Sequence, residues 1–230
     1  MTSQNDIRQR STRKVVPWTG AIVAGVGAVM MTLIAFLGTH SSKDPFLGGN
    51  FLEVMLLGIA PSLLLIVVAA LLCTLPWFLR RFPQFRSPFT FGTEDQLRWF
   101  LNWFLAGLTV FSLSVQAGSL GLHQPWGISF QATIFFGLGM VLLSVGIGYP
   151  RGGPRYEGPD AFAATASVEF ARFALLQKYG TAVLGVVLIA AGAWAPSSVL
   201  FAIAVGGAIV LWVVPWIITL VRATRTQRSQ

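Results

Sequence analysis

The sequence predicts an all-α, polytopic membrane bundle of six transmembrane helices with both termini on the inner side. Three observations predict it: composition, the length of the apolar runs, and the distribution of cations. The 230 residues are 54% hydrophobic and only 10% charged, with a mean hydropathy of +0.69. A soluble domain carries about 25% charged residues. Polar surface is too scarce here to face water, so lipid is the expected solvent.

A helical span needs about 20 mainly apolar residues. Six runs qualify: 19–38, 51–79, 99–122, 128–149, 180–195 and 197–221. They are continuous and do not alternate, which predicts helices rather than barrel strands. The whole chain, 1–230, reads as one integral membrane domain. A basic tail (1–18) precedes the first span, and a second basic tail (222–230) follows the last. The first apolar run is about as long as a full crossing and has no A-x-A pattern, which predicts an uncleaved anchor.

The charge of +8 raises the question of nucleic acid, and its placement answers it. Arg8, Arg10, Arg13 and Lys14 precede the first span; Arg80, Arg81, Arg86 and Arg98 lie between the second and third. Arg151, Arg155, Arg172 and Lys178 lie between the fourth and fifth, and Arg222, Arg225 and Arg228 follow the sixth. Only Lys43 falls on the other side. The positive-inside rule makes the crowded side cytoplasmic, in a cell inner membrane. The cations are then expected to meet anionic lipid headgroups, and no nucleic-acid partner is expected.

The helix contents follow the same logic. Gly20 with Ala24, and Ala21 with Gly25, form small-xxx-small pairs in the first span, where backbones can approach closely. Asn102, Gln116 and Gln131 are expected to bond between helices. Trp18, Trp77, Trp99, Trp103, Trp126, Trp212 and Trp216 suit an interfacial aromatic belt. Pro61 and Pro215 are expected to kink their helices.

Chemistry-bearing patterns are sparse. There is no GxSxG, HExxH, P-loop or paired-carboxylate arrangement, and no acid or base in mid-span of the kind a proton-coupled pump requires. The expectation is a protein that is not an enzyme and has no cofactor. Cys73, alone, can form neither an intrachain disulfide nor a thiolate cluster. His40 and Asp44 are the outer-face candidates; two side chains fall short of a metal site.

One stretch departs from the hydrocarbon pattern: "GIGYPRGGPRYEGPDAF", residues 146–162. Its glycines and prolines predict a turn. Asp160 can cap a helix running to Gly180, in which Phe162, Ala166, Phe170, Phe173 and Leu176 form an apolar stripe. The expectation for 150–179 is therefore a cytoplasmic loop containing an interfacial helix. Glu169 falls inside the stripe and reads either as a snorkelling surface acid or as a buried polar contact that pairs with Arg172 or Arg155. The candidate partner-binding residues are Arg155, Glu157, Asp160, Glu169 and Arg172.

The same stretch resembles the SdpI family of bacterial membrane proteins. Gly146, Gly148, Tyr149 and Pro150 match that family's turn, and Gly158 the glycine ahead of its Arg-Thr-Pro motif. Ser167, Glu169 and Phe170 match its Ser-Glu-aromatic element, and Gly180 the glycine before its penultimate span. "LLCTLPWFLRRFPQF", residues 71–85, resembles its basic inner loop; His40 and Gly48–Gly49 resemble its outer loop. The family's Arg-Thr-Pro-Trp-Thr core is replaced here by residues 159–162, and its outer-loop Pro-Asp is missing. The resemblance implies immunity to a toxic peptide, with signal transduction through the cytoplasmic loops. The alternatives are a small transporter or an accessory subunit of a larger membrane complex, whose partner would be another membrane protein. An enzyme acting on a lipid or isoprenoid substrate is the third.

Overall fold

The structure, a computed structural model, describes residues 16–41, 51–81, 89–90, 93–120, 128–156 and 161–228. The chain folds as an all-α bundle. Its helices are α1 (Trp18–Ser41), α2 (Phe51–Arg81), α3 (Glu94–Ser119), α4 (Phe130–Gly148), α5 (Ala161–Ala191), α6 (Ser197–Ala208) and α7 (Val214–Arg228). A single π-helical turn, Ile209–Val213, joins α6 to α7 without a break. Two-residue strands β1 (Phe89–Thr90) and β2 (Arg155–Tyr156) pair antiparallel, Phe89 opposite Tyr156 and Thr90 opposite Arg155. Among the described residues, five helical segments are long and apolar enough to cross a membrane, including Trp18–Phe36, Phe162–Ala191 and Ser197–Thr226. The protein is a multi-pass membrane protein. In α2 the described apolar stretch is Ile59–Leu75.

α1 packs on both α2 and α3. α3 packs on α1, α2 and α4; α4 packs on α5; α5 packs on the α6–α7 rod. Every described residue of α3 from Leu101 to Ser119 is buried or half-buried, as its central place requires. Its start is specified locally. Thr93 and Gln96 form a reciprocal capping box, so the helix begins at Glu94, five residues ahead of the predicted span.

Contacts between helices are made by small residues. On α1 the face carrying Gly20, Ala24, Ala28, Met31 and Ala35 is buried. A Cβ on Gly20 would come within 2.9 Å of the Asn102 Cα, and one on Gly27 would strike the Thr109 methyl. The other predicted pair, Ala21 with Gly25, faces outward, and nothing lies within 4 Å of a Cβ on Gly25. Between α4 and α5 the backbones nearly touch. A Cβ on Gly185 would sit 2.5 Å from the Gly139 carbonyl oxygen, and one on Gly146 would sit 2.5 Å from the Ala182 nitrogen. Lipid gives no hydrophobic drive for helix association, so contact depends on such close approach.

The three polar side chains expected to join helices do so. Asn102 Oδ1 accepts from the Gly20 N–H at 2.8 Å, satisfying an orphan donor in the first turn of α1. Gln116 Nε2 donates to the Met31 carbonyl at 2.6 Å. Gln131 Nε2 donates to the Ala195 carbonyl at 2.9 Å, in the turn between α5 and α6.

Two expectations are corrected. The predicted interfacial helix and the span 180–195 are one continuous helix, α5, with Gly180 in its interior. Gly180 does not end the helix; it makes room for Leu211, whose Cδ2 a side chain there would strike. The expected apolar stripe coincides only in part with the packed face, sharing Ala166 and Phe170 with it. The buried face is Ala163, Ala166, Phe170, Ala174, Gln177 and Thr181, while Leu175 and Leu176 point out. In a membrane the large apolar residues can face lipid, and the small ones mediate packing. Pro215 lacks the N–H an α-helix would use, and its ring crowds the preceding turn. The helix answers with the π turn just before it rather than a break.

Candidate functional site at the cation-rich end

The polar residues converge at one end of the bundle, around the last turn of α4. That helix has no basic residue of its own there, although its terminal carbonyls carry partial negative charge. Lys178 of α5 supplies the cation from outside. Its Nζ donates to the Ile147 carbonyl at 2.9 Å and the Tyr149 carbonyl at 2.7 Å. These charge-assisted bonds satisfy carbonyls that the end of α4 would leave open.

Tyr149, which ends α4, is 2% exposed. Its hydroxyl donates to Gln177 Oε1 at 2.8 Å, and its ring meets Trp212 edge-on at 5.2 Å. The π turn places Trp212 so that its indole N–H donates to Thr181 Oγ1 at 3.2 Å. Trp212 is therefore more than the belt anchor that the sequence suggests; it joins the α6–α7 rod to α4 and α5.

The chain then turns through Gly153, which has φ 66°. Only glycine takes that conformation without strain. Its Cβ would also come within 3.0 Å of the Phe170 carbonyl oxygen, so the turn lies directly against α5. This turn places Arg151 beside Lys178 and leads into β2. Gln96, Trp99, Gly148, Tyr149, Pro150, Arg151 and Lys178 enclose an open cleft of about 200 Å³.

A second cluster lies farther along α5. Glu169, 7% exposed, receives Arg172 Nη1 at 3.0 Å and Arg222 Nη1 at 2.7 Å. The Arg172 pair lies within one helix; the Arg222 pair ties α5 to α7. Below the clasp, Phe170 packs edge-on against Trp216 at 4.9 Å, beside Ala166 and Ala223.

Of the predicted site residues, the structure brings Glu169 and Arg172 together, as the buried-contact reading expects. Among the described side chains the second partner of Glu169 is Arg222. Arg155 stands in β2 opposite Thr90. Glu157, Asp160 and Asp44 lie outside the described residues. His40 falls in the last turn of α1 rather than in an outer loop, because the helix runs on to Ser41. Lys178, Tyr149, Gln177, Trp212 and Arg222 were not singled out as site residues by sequence. The available signal was Lys178 itself, a cation directly ahead of the apolar run 180–195. Among the described residues no group of three His, Cys, Asp or Glu side chains could hold a metal ion. A further crevice of about 270 Å³ between α2 and α3, lined by Pro61, Leu64, Leu65, Leu108 and Phe111, is almost wholly apolar. The cation-rich end can thus bind an anion and lock helices together. Compared with family models, with curated proteins and with solved structures, the chain has no match.

Proposed function

We propose that this chain is a non-enzymatic protein of a bacterial inner membrane, with an SdpI-like role in immunity to, or sensing of, a toxic peptide. In this reading α2 is the sixth span, both termini are cytoplasmic, and signalling passes through the cation-rich end. The observation that supports it most is the β1–β2 ladder. It joins two connections far apart in sequence, both basic, at the end where Glu169 ties α5 to α7. One surface is thereby built from the segments that carry the SdpI-like residues, and a partner docking there would contact several helices at once.

Deleting the gene should sensitise cells to a peptide toxin made by the same or a neighbouring strain, and expression in trans should restore resistance. Unchanged sensitivity across a co-culture panel would rule out immunity.

A second reading, an accessory subunit of a larger membrane complex, has one observation in its favour. The Ala21–Gly25 pair of α1 is a close-packing motif, and no described residue lies within 4 Å of a Cβ on Gly25. A partner should then co-purify in mild detergent at fixed stoichiometry.

A further inference from the structure

We propose that the cleft between the start of α3 and the end of α4 binds the phosphate of an anionic lipid headgroup, with Arg151 and Lys178 as the binding cations. The inference goes beyond the immunity reading and does not depend on it.

Charge is the first argument. Lys178 and Arg151 line the same cleft, close enough for each charge to act on the other. Two cations held together repel unless an anion lies between them. The carboxylates with described side chains are engaged elsewhere: Asp95 with Arg98, and Glu169 with Arg172 and Arg222. Lys178 is fixed in place by its two carbonyl bonds, and an ammonium has three donors. One donor remains to point into the cleft. Gln96, exposed on the opposite wall, adds an amide.

Position is the second argument, and it selects lipid over free phosphate. A helix of 19 residues rises about 28 Å, close to the thickness of the hydrocarbon core. The end of α4 therefore marks the membrane boundary. Other contacts lie at the same level: Gly20 on Asn102, Gly148 on Phe100 and Trp103, and Trp212 on Tyr149. Trp18 and Trp99 are 60% and 54% exposed there, as indoles of a headgroup belt are. Trp99 is itself a wall of the cleft. A phosphate at this depth, with its acyl chains alongside Trp99, meets both cations without leaving the bilayer.

The test uses the full-length protein in detergent, with thermal stability followed as lipid is titrated. Phosphatidylglycerol should stabilise it with an apparent affinity on the order of tenfold or more above that of phosphatidylcholine, as expected for two near-surface cations. Arg151→Gln, at an exposed site with no side-chain bond among the described residues, should weaken the phosphatidylglycerol effect about fivefold. Arg225→Gln, at the same end but outside the cleft, should leave it unchanged. Equal response to the two lipids would overturn the proposal, as would equal loss in the two variants. Stabilisation by millimolar inorganic phosphate that matches and competes with phosphatidylglycerol would overturn the lipid assignment.

Discussion

The contact between α4 and α5 and the contact between α5 and α7 are made in different ways, although α5 is common to both. Against α4, glycine meets backbone: Gly139 with Gly185, Gly146 with Ala182. Against α7 and the π turn that precedes it, the contact depends on Phe170 with Trp216, Trp212 with Thr181, and the Glu169–Arg222 pair. The first contact lies within the length of α4, at membrane depth. The second extends past the end of α4, because α5 continues from Lys178 back to Ala161, 17 residues, or about 25 Å. Inside lipid, close approach of backbones is the available source of attraction. Beyond the belt, aromatic burial and ion pairing contribute again. A helix passing from one solvent to the other changes its means of packing on the way.

The comparison can be broken most sharply at the glycine contact. Gly185→Leu would drive a side chain into the backbone of α4, where nothing flexible can yield. It should cost about 3 kcal/mol or more, seen as loss of the monodisperse peak in detergent. A stable Gly185→Leu protein would refute the backbone contact. Glu169→Ala should cost less, about 1–3 kcal/mol by thermal unfolding, since it removes a buried acceptor whose arginine partners are more than half exposed and screened by water. Arg222→Ala should approach that loss, whereas Arg172→Ala, an exposed i,i+3 pair, should cost about 0.5 kcal/mol or less. Equal effects of the two arginines would mean the clasp does not join α5 to α7. Tyr149→Phe should cost about 1–2 kcal/mol, because Gln177 Oε1 loses its donor in a buried site. The smallest change is Gly25→Leu, within about 0.5 kcal/mol, as the side chain enters open space. A Gly25→Leu protein that folds normally yet loses a co-purifying partner would favour the accessory-subunit reading.

The same contrast explains what the sequence revealed. The multi-pass helical character was legible because apolar runs long enough to cross are rare by any other cause, and Asn102, Gln116 and Gln131 because polar groups in lipid must find partners. The continuity of α5 was hidden. Gln177, Lys178 and Gly180 together look like the end of a helix, yet each has a mid-helix role: Gln177 bonds Tyr149, Lys178 caps α4, and Gly180 admits Leu211. Arg222 as partner of Glu169 was not legible, since 53 residues separate them and only the fold brings the ends of α5 and α7 together. Glu169 itself was legible as an acid out of place on an apolar face.

The orientation of the cation-rich end decides whether its surface can meet a cytoplasmic partner. Gly152 is exposed at that end with nothing within 4 Å of a Cβ, and Cys73 is the only native cysteine. In a Cys73→Ser background, Gly152→Cys should react with a membrane-impermeant maleimide only after cells are permeabilised. Labelling of intact cells to the same extent would put this end outside and contradict the account.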